Sequence, residues 1–575
     1  MDEIDLRADD WPHGFCSVLD KLSFKSSGRN APDPEQDLTI SLNHSSVELQ
    51  RDSASPELGL PLDSSARSHN PIELLKRFFS FPAMLGVLLV TGVFWAKHGF
   101  NVDTDFWWHL KVGEDILATR HWPTTDAYSF TAPGQPWMAA EWLGDVLFAW
   151  VERIGGFRAL DVLLIVMSAA IILALYAFCA IRSGNSKASF AATAILTVLS
   201  LPVFNFRPQM LGFLFLVLTL IALERFRQGR PRSLWFLPLL FVLWVNTHGS
   251  WMIGLFTIFV YWASGLKEFQ LGAAEMRAWT VAQREQLSLF FLLCVAALPL
   301  TPYGTRLAFF PFQFINSLPV NLASINEWQP MPFNVFGAKL FLALILGWFV
   351  AQLVYKPKWR VEELILFFFG TAMACLHVRF LLIFVPFFAP LLATTLARWI
   401  PAYERGKDQY LMNAALMAAM LIGMIYFFPP HAEIEKNIAT MYPSGALSFM
   451  RTHPMPAPMF NSYGFGGYLE WSGGGRDKVF IDGRGELYET SGVFTDYMHI
   501  TLLQPGALSV LYGYQVQSCL FDRDQPLAVF LAALPQWKTV YADDVSVVLV
   551  RTNAGNEAAT TAVTNDQAVL AARLQ

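Results

Sequence analysis

The stretch VLLIVMSAAIILALYAFCAI, residues 162–181, decides the fold of this chain. It carries no charged residue, and about 20 apolar residues in a helix are enough to cross the hydrocarbon core of a bilayer. Charge-free runs of this kind recur at Phe78–Ala96, Ala188–Phe206, Pro208–Leu223, Ser233–Leu266, Gln286–Thr305, Leu340–Tyr355, Leu364–Val378, Phe380–Ala397 and Gln409–Pro430. The sequence therefore predicts an all-α polytopic membrane domain.

The composition agrees with a membrane protein. Charged residues make up 15% of the 575-residue chain, hydrophobic residues make up 54%, and the mean hydropathy is +0.38. A typical soluble domain has about 25% charged residues, so a soluble enzyme is excluded. The net charge of −5 and the scattered Lys and Arg argue against nucleic acid as a partner. The five cysteines form no CxxC pair, which excludes a disulfide framework and a cysteine zinc site.

The number of spans depends on one segment. Ser233–Leu266 has no charged residue but is broken by the polar run 246–250, which predicts a helical hairpin. If both arms of the hairpin cross the membrane, the chain has eleven transmembrane helices; if the hairpin re-enters, it has nine. The later segments keep the same orientation in either case.

The distribution of Lys and Arg predicts the orientation. Alternate short loops hold most of these residues, which places the N-terminus in the cytoplasm and the C-terminus outside. Residues 1–75 are rich in Ser, Asp and Pro and are predicted to form a disordered cytoplasmic tail. Residues 76–430 form the predicted membrane domain with an outer loop at 97–161, and residues 431–575 form a predicted non-cytoplasmic α/β soluble domain. The predicted outer segments lack Asn-x-Ser/Thr, which favours the inner membrane of a bacterium.

Two acidic residues open the long outer loop. Asp103 and Asp105 follow the first span and precede a predicted amphipathic helix, which begins at Phe106 and would lie in the membrane interface. Carboxylates at the N-terminus of a helix often only cap it. The functional alternative is that Asp105 is a general base at the mouth of a cavity and that Asp103 supports it.

Three later residues have polar side chains in apolar surroundings. Glu327, beside Trp328 in an outer loop, is either a solvated acid or a carboxylate that faces a cavity. Arg379 lies between two apolar runs, where an arginine must pair, extend to the interface, or bind a phosphate at that depth. His248, at the tip of the hairpin, either hydrogen-bonds the backbone or lines a cavity.

The order of these motifs resembles the GT-C superfamily of glycosyltransferases, which take a sugar from a polyprenyl phosphate or diphosphate carrier on the non-cytoplasmic face. The nearest comparison is the catalytic subunit of oligosaccharyltransferase. Its acidic pair, its Asp…Pro-Gly stretch and its Ser/Thr-Ile/Val-x-Glu motif are similar to residues 103–105, 126–134 and 324–327. The arginine that binds the donor phosphate in the family corresponds to Arg379, and His377 precedes it.

The chain also departs from that family at two motifs. The loop after the third span is acidic in the family, but Phe204–Gln209 contains no acid. The Trp-Trp-Asp-Tyr-Gly signature is replaced by Phe460–Tyr468, in which only Tyr463 and Gly464 keep the register. These differences concern the metal and the acceptor sequon of the family.

The resemblance implies an inverting membrane glycosyltransferase. Asp105 would be the base, Asp103 and Glu327 would complete the catalytic set, and Arg379 and His377 would bind the donor phosphate. If the enzyme uses Mg²⁺ or Mn²⁺, Asp105 and Glu327 would hold it. The other expected cavity-lining residues are His109, His248, Trp328 and Tyr463. The partners would be a lipid-linked sugar, membrane lipids and a glycan, lipid or protein acceptor.

Two other classes of protein remain open. A transporter or lipid-linked-sugar flippase of the cell envelope would also have many spans, a polar hairpin and an outer domain. Transporters usually place ionisable residues near the bilayer midplane and show inverted repeats, whereas the acids here cluster at the outer face. The other class is a catalytically inactive assembly partner in the synthesis of envelope polysaccharide.

Overall fold

The computed structural model describes residues 71–100, 102–317, 319–473 and 478–552. Most of the predicted tail, residues 1–70, lies outside these described residues. Residues 71–75, which the prediction placed in the tail, belong to the first helix. That helix begins at Pro71, and proline suits a first helical position because it lacks the amide hydrogen that would be unpaired there.

Fifteen helices and three short strands precede residue 430 in the described part of the chain. The helices are α1 (Pro71–Phe78), α2 (Phe81–Lys97), α3 (Phe106–Thr119), α4 (Trp142–Ser183), α5 (Ser186–Ser200), α6 (Gln209–Arg227), α7 (Leu237–Val245), α8 (Trp251–Ala263), α9 (Val281–Ala297), α10 (Thr305–Ser317), α11 (Pro319–Ser324), α12 (Phe336–Tyr355), α13 (Val361–Leu376), α14 (Leu381–Leu396) and α15 (Tyr410–Tyr426). The strands β1 (Phe269–Leu271), β2 (Ala274–Met276) and β3 (Trp359–Arg360) form one small sheet in that order.

Each predicted span overlaps a helix, and the arms of the predicted hairpin contain α7 and α8. Six of the described helices are long and apolar enough to cross a membrane, or seven if α15 and the next helix, bent by 63°, form one span. These helices make the chain an integral membrane protein. The predicted count of eleven spans is not confirmed, because α7 and α8 have only 9 and 13 residues.

Helix α4 contains a break where it leaves the loop for the membrane domain. Gly155 and Gly156 depart from helical geometry inside this 42-residue element, and Gly156 has a φ of 60°. Glycine adopts this left-handed conformation at little cost because it has no Cβ. The residues before the break were predicted as part of loop 97–161, so this loop contains α3 and the first turns of α4.

Helix α14 forms the centre of the membrane domain. Every residue from Leu381 to Ala393 is buried. The helix packs against α4, α5 and α13. A helix that is apolar on all sides is stable only when other elements surround it, and these helices provide that surrounding.

Buried ion pairs join α6 to the start of α13. Arg227 Nη2 lies 2.8 Å from Glu362 Oε1, and Arg360 Nη1 lies 2.7 Å from Glu224 Oε2. Arg227 ends α6 and Arg360 directly precedes α13, and both lie at the side of the bundle that the distribution of Lys and Arg predicted to be cytoplasmic. Because these carboxylates are buried, the arginines must stay paired with them, which fixes this end of the helix bundle.

The C-terminal region, from His431, combines seven helices with a four-stranded sheet in the described residues. The helices are α16 (His431–Met441), α17 (Ser444–Thr452), α18 (Gly466–Ser472), α19 (Gly485–Thr490), α20 (Val493–Thr501), α21 (Ala507–Gly513) and α22 (Pro526–Ala532). The strands are β4 (Met459–Asn461), β5 (Ser518–Asp522), β6 (Trp537–Ala542) and β7 (Ser546–Arg551). Their order is β4-β5-β7-β6, with β4 and β5 parallel and the other pairs antiparallel. This mixed sheet with helices has the α/β character predicted for residues 431–575.

Helix α3 lies inside the molecule, between α4 and α18. Trp107 is fully buried, and its ring packs against the rings of Tyr442, Tyr468 and Trp471. The sequence predicted this helix correctly but placed it in the membrane interface. That environment is wrong, because the C-terminal region covers the aromatic face of the helix.

A buried ion network joins the C-terminal region to loop 97–161. Arg484 Nη1 lies 2.7 Å from Asp126 Oδ1, and the same guanidinium pairs with Asp482. Asp126 also accepts hydrogen bonds from the backbone and the hydroxyl group of Ser129. The Asp…Pro-Gly stretch of the sequence therefore builds the contact between loop and domain.

Candidate active site

Eight of the nine site residues predicted from the sequence line one cavity of about 810 Å³. They are Asp105, His109, His248, Glu327, Trp328, His377, Arg379 and Tyr463. The ninth, Asp103, contacts the cavity-lining residue Arg207. The structure thus brings the predicted residues together, whereas their chemical roles stay predictions.

Arg207 joins the three predicted catalytic acids. Its Nη2 lies 2.7 Å from Asp103 Oδ1 and 3.1 Å from Asp105 Oδ2, and its Nη1 lies 3.2 Å from Glu327 Oε2. Asn205, from the same short loop, donates a hydrogen bond of 3.2 Å to Asp103 Oδ2. The loop between α5 and α6 therefore holds the acids of two other loops in place.

Asp105 directly precedes α3, but its carboxylate does not cap the helix. Asp103 Oδ1 accepts the backbone N–H of Asp105 at 3.0 Å, and Asp105 Oδ2 pairs with Arg207. Oδ1 of Asp105 has no hydrogen-bond partner among the described residues. Burial raises the pKa of Asp105 to about 7; Arg207 lowers this pKa, and Asp103 and Glu327 raise it. A carboxyl group that titrates near neutral pH suits a general base.

Arg379 lies where the chain passes from α13 to α14. Its guanidinium carbon is 4.1 Å from the centre of the Trp328 ring, and its Nη2 is 3.5 Å from Gln209 Oε1. No carboxylate among the described residues lies within ion-pair distance of it. A guanidinium supported by a ring and an amide keeps its charge available for an anionic ligand.

His377 supports the loop that carries Glu327. Its Nδ1 donates a hydrogen bond to the backbone carbonyl of Trp328, because a carbonyl oxygen can only accept. The ring also meets Trp328 and Phe380 edge-on. Nε2 of the ring makes no hydrogen bond among the described residues, so it is the nitrogen that can contact a ligand.

A second polar cluster lines the cavity beside the first. His109 Nδ1 lies 2.7 Å from Asp145 Oδ1, and its Nε2 lies 3.6 Å from Glu141 Oε2. His248 Nε2 lies 3.4 Å from Glu141 Oε1, and its Nδ1 accepts the backbone N–H of Ser250. Both interpretations of His248, backbone partner and cavity residue, therefore apply. Burial raises the pKa of Glu141 to about 8 and lowers that of His109, so both side chains favour their neutral forms.

The C-terminal region covers the polar end of the cavity. Tyr463 donates a hydrogen bond of 3.2 Å from its hydroxyl group to the carbonyl of Gly483, and both residues line the cavity. Glu486, also in the lining, accepts a hydrogen bond of 3.1 Å from Trp137 Nε1. Of the family's acceptor signature only Tyr463-Gly464 remains, and the structure places Tyr463 at this cover.

The other end of the cavity is apolar. Side chains of the helices α8, α10, α13 and α14, and of the turn that leads into α14, line it. They include Met252, Ile253, Phe256, Leu307, Phe310, Phe369, Met373, Phe380 and Ile383. The cavity is therefore amphipathic, with its charged groups at one end and a hydrocarbon-like wall at the other.

The pair predicted to hold Mg²⁺ or Mn²⁺, Asp105 and Glu327, instead holds Arg207 between its carboxylates. Within the described ranges, no group of three or more His, Cys, Asp or Glu residues could hold a metal ion. The chemistry of this donor set is therefore that of an ion-pair cluster.

Sequence reasoning missed three residues of the site: Arg207, Glu141 and Asp145. The sequence showed only that the loop Phe204–Gln209 lacks an acid, although Arg207 in this loop directly precedes Pro208 and a span. A single arginine in so short and apolar a loop was a usable signal. Glu141 and Asp145 are four residues apart at the start of α4, a spacing that places both on one helical face.

Comparisons with known proteins give structural matches only. No protein-family model matches the sequence, and no curated protein does. Oligosaccharyltransferase AglB from Archaeoglobus fulgidus, solved with an inhibitory peptide and a dolichol-phosphate, is similar over 76% of this chain and 69% of its own, with 13% identity and a TM-score of 0.45. Arabinofuranosyltransferase AftD from Mycobacteria, as the mutant R1389S, is similar over 83% of this chain and 42% of its own, with 12% identity and a TM-score of 0.48.

ArnT from Cupriavidus metallidurans, bound to undecaprenyl phosphate, is similar over 85% of this chain and 99% of its own, with 12% identity and a TM-score of 0.45. At 12–13% identity and TM-scores of 0.45–0.48, these similarities assign no activity to this chain, so its chemistry has to be argued from its own residues.

Proposed function

We propose that the protein transfers a sugar from a polyprenyl phosphate or diphosphate carrier to an acceptor on the non-cytoplasmic face, with inversion and with Asp105 as the base. One observation is central to the proposal. A cavity of about 810 Å³ combines a carboxyl group with a pKa of about 7, Asp105, and an arginine without a carboxylate partner among the described residues, Arg379. These are the two groups that this transfer needs.

The amphipathic cavity supports a lipid-linked donor. Its volume falls in the range of about 300–1,000 Å³ that small-molecule sites occupy. The apolar wall would hold the first isoprene units of the carrier, and Arg379 would bind its phosphate through two parallel hydrogen bonds. Nε2 of His377 would form a hydrogen bond with a hydroxyl group of the sugar.

The chemistry requires one bond to form as another breaks. A nucleophilic atom of the acceptor bonds to C1 of the sugar, and the bond from C1 to the carrier phosphate oxygen breaks, with its electron pair going to the phosphate. Asp105 takes the proton that the acceptor loses. Arg379 offsets the negative charge that develops on the leaving phosphate.

The remaining acids would prepare this step. Asp103 fixes the backbone of Asp105 through one hydrogen bond and holds Arg207 against it. Glu327 uses Oε2 for Arg207, and its Oε1 has no hydrogen-bond partner among the described residues. That oxygen would orient the acceptor, whether a glycan, a lipid or a protein.

The ion pairs at the opposite end of the bundle support a non-cytoplasmic reaction. The cavity lies at Gln209, the start of α6, and His377, the end of α13. The basic loops lie at the other end of both helices, where Arg227 pairs with Glu362. Since basic loops face the cytoplasm, the cavity and the C-terminal region would face outward, in keeping with a bacterial inner membrane.

A binding experiment tests the donor half of the proposal. Undecaprenyl phosphate is titrated into the purified protein in nanodiscs, and binding is followed by native mass spectrometry. Binding is also followed by tryptophan fluorescence, and the part of the signal that Trp328 contributes is obtained by subtracting the signal of the Trp328→Phe variant. We expect saturable binding that Arg379→Ala weakens at least about tenfold and that Asp105→Asn leaves unchanged. Absence of saturable binding in the unmodified protein would contradict the proposed donor class.

A turnover experiment tests the reaction class. Undecaprenyl-phosphate-linked sugars are supplied with envelope glycans and lipids as acceptors, and the release of free undecaprenyl phosphate is measured. We expect release in the unmodified protein and none in Asp105→Asn. Movement of the lipid-linked sugar between leaflets without release would instead establish a flippase. Full activity in Asp105→Asn would remove Asp105 as the base.

A further inference from the structure

The guanidinium of Arg207 has an unusual set of neighbours. Three carboxylates, from Asp103, Asp105 and Glu327, contact its two terminal nitrogens at 2.7–3.2 Å. One positive charge is thus shared by three acids, all of them less than a third exposed. Three carboxylates around a small volume are an arrangement that attracts a cation strongly, because each one repels the other two.

Oxygen atoms of this kind are also what hard divalent cations prefer. Mg²⁺ binds oxygen at about 2.0–2.1 Å and Ca²⁺ at about 2.3–2.6 Å, usually through carboxylates and water. In this structure, the two terminal nitrogen atoms of Arg207 lie between Asp105 and Glu327 and contact one carboxylate each. The residues therefore do not fit a metal site while the arginine is in place.

The arginine is held firmly in that position. Its side chain is only 15% exposed, and Pro208, which directly follows it, stiffens the loop before α6. Asn205 reaches the same acid, Asp103, from the same loop. A guanidinium stays protonated at any accessible pH, and its neighbouring acids raise the pKa of Arg207 further. The charge is thus permanent and covalently attached.

We propose that Arg207 is a built-in cation that occupies the position of a divalent metal ion between Asp103, Asp105 and Glu327, so that this site neither needs nor binds Mg²⁺ or Mn²⁺. In this role Arg207 is a positioning residue, since it acts on the acceptor only through Asp105 and Glu327. A metal ion would use up carboxylate oxygens as ligands, whereas the arginine leaves Asp105 Oδ1 and Glu327 Oε1 free of partners among the described residues.

Binding of Mn²⁺, measured by electron paramagnetic resonance on the purified full-length protein without a histidine tag, tests the proposal. We expect no site in the unmodified protein that depends on Asp105. Arg207→Ala removes the guanidinium and should create one Mn²⁺ site, with affinity at least about tenfold above the unmodified protein. Asp105→Asn in the Arg207→Ala background should abolish it. The measurement requires no turnover, so its outcome is independent of the proposed sugar transfer.

Two further variants make the result decisive. Arg207→Lys keeps the charge and should bind no Mn²⁺. Arg207→Gln keeps much of the shape of the side chain but loses the charge, and it should gain the Mn²⁺ site. This second variant also covers the case in which Arg207→Ala does not fold. Stoichiometric Mn²⁺ in the unmodified protein that is lost in Asp105→Asn would overturn the proposal. Failure of both neutral variants to gain Mn²⁺ would also overturn it, because the three acids would then not form a cation position.

Discussion

Gly483 of the C-terminal region lies directly against the carboxylate of Asp105. A Cβ placed on this glycine would come within 2.1 Å of Asp105 Oδ1 and 2.7 Å of Trp108 Nε1. Real Cβ atoms do not approach other heavy atoms this closely, so only glycine fits without displacement. Asp105, the proposed base, and Gly483 of the C-terminal region therefore pack directly against each other, although they lie far apart in the sequence.

Replacing Gly483 by alanine should damage catalysis more than donor binding. The added methyl group must push the Asp105 carboxylate away from its position, and a misplacement of about 1 Å can cost on the order of 10²-fold in rate. We expect kcat to fall by at least about tenfold, while the affinity for undecaprenyl phosphate stays unchanged because Arg379 is not disturbed. Steady-state kinetics and the nanodisc titration measure the two quantities.

Gly513→Ala is the matched control for this substitution. Gly513 ends α21 in the same region, and a Cβ placed on it would meet nothing within 4 Å. We expect unchanged activity in that variant. Equal activity in Gly483→Ala and Gly513→Ala would show that the position of Asp105 Oδ1 is unimportant for turnover.

The raised pKa of Asp105 predicts a specific pH dependence. A general base works only when it has lost its proton, so kcat/KM should rise with pH and level off above about 7, the pKa of Asp105. An ordinary aspartate has a pKa of about 3.9 and would give full activity already at pH 5. A pH–rate profile between pH 5 and 9 distinguishes the two cases, and a profile flat down to pH 5 would contradict the assignment.

Removing the charge of Arg207 should move this profile in a known direction. Arg207 is the group that lowers the pKa of Asp105, while Asp103 and Glu327 raise it. In Arg207→Gln the pKa of Asp105 should therefore rise, and the acidic limb of the kcat/KM profile should shift to higher pH. In Arg207→Lys the charge remains, so the limb should stay near its original position. A shift of the Gln variant to lower pH would contradict the described geometry.

Arg379 and a nearby exposed arginine should behave differently. Arg379→Ala removes the proposed phosphate ligand, and we expect the donor KM to rise at least about tenfold because a hydrogen bond to a charged group contributes about 1.5–3 kcal/mol. Arg306, at the start of α10, is exposed and does not line the cavity. Arg306→Ala should leave the donor KM unchanged. Equal effects in both variants would indicate a general charge effect on lipid binding.

The sequence predicted the helices well because their signal is local. A charge-free run such as Val162–Ile181 needs no partner to reveal that it is apolar, and the structure makes it part of α4. The break at Gly156 and the buried position of α3 were not predictable in this way. The burial of α3 depends on packing against the C-terminal region, which the sequence of loop 97–161 does not contain.

The candidate site was likewise predictable from the sequence only in part. Asp105, Glu327 and Arg379 could be named from motifs, since a resemblance preserves residue types at fixed places in the chain. Arg207 matches no motif of the family, and its contacts with the three acids that surround it become visible only in the structure. Asp126 illustrates the opposite case, because it opens the Asp…Pro-Gly stretch that resembles the family but forms a buried ion pair with Arg484.

The buried position of Arg484 leads to a prediction about the attachment of the C-terminal region. Its side chain is 0% exposed and pairs with Asp126 of loop 97–161 and with Asp482. Arg484→Met fills a similar volume but leaves both carboxylates buried and unpaired, which costs about 3–5 kcal/mol when one partner of a buried pair is removed. We expect a clearly lower thermal unfolding midpoint. We also expect faster proteolytic cleavage of loop 97–161 and of the C-terminal region, because the contact between them is weakened. Arg523, which pairs with Asp544 at the surface, supplies the control: Arg523→Met should leave both measurements unchanged, because exposed ion pairs contribute little. If Arg484→Met unfolded at the same temperature as Arg523→Met, the network would not be what holds this region over the cavity, and the contact of Gly483 with Asp105 would have to be maintained by apolar packing alone.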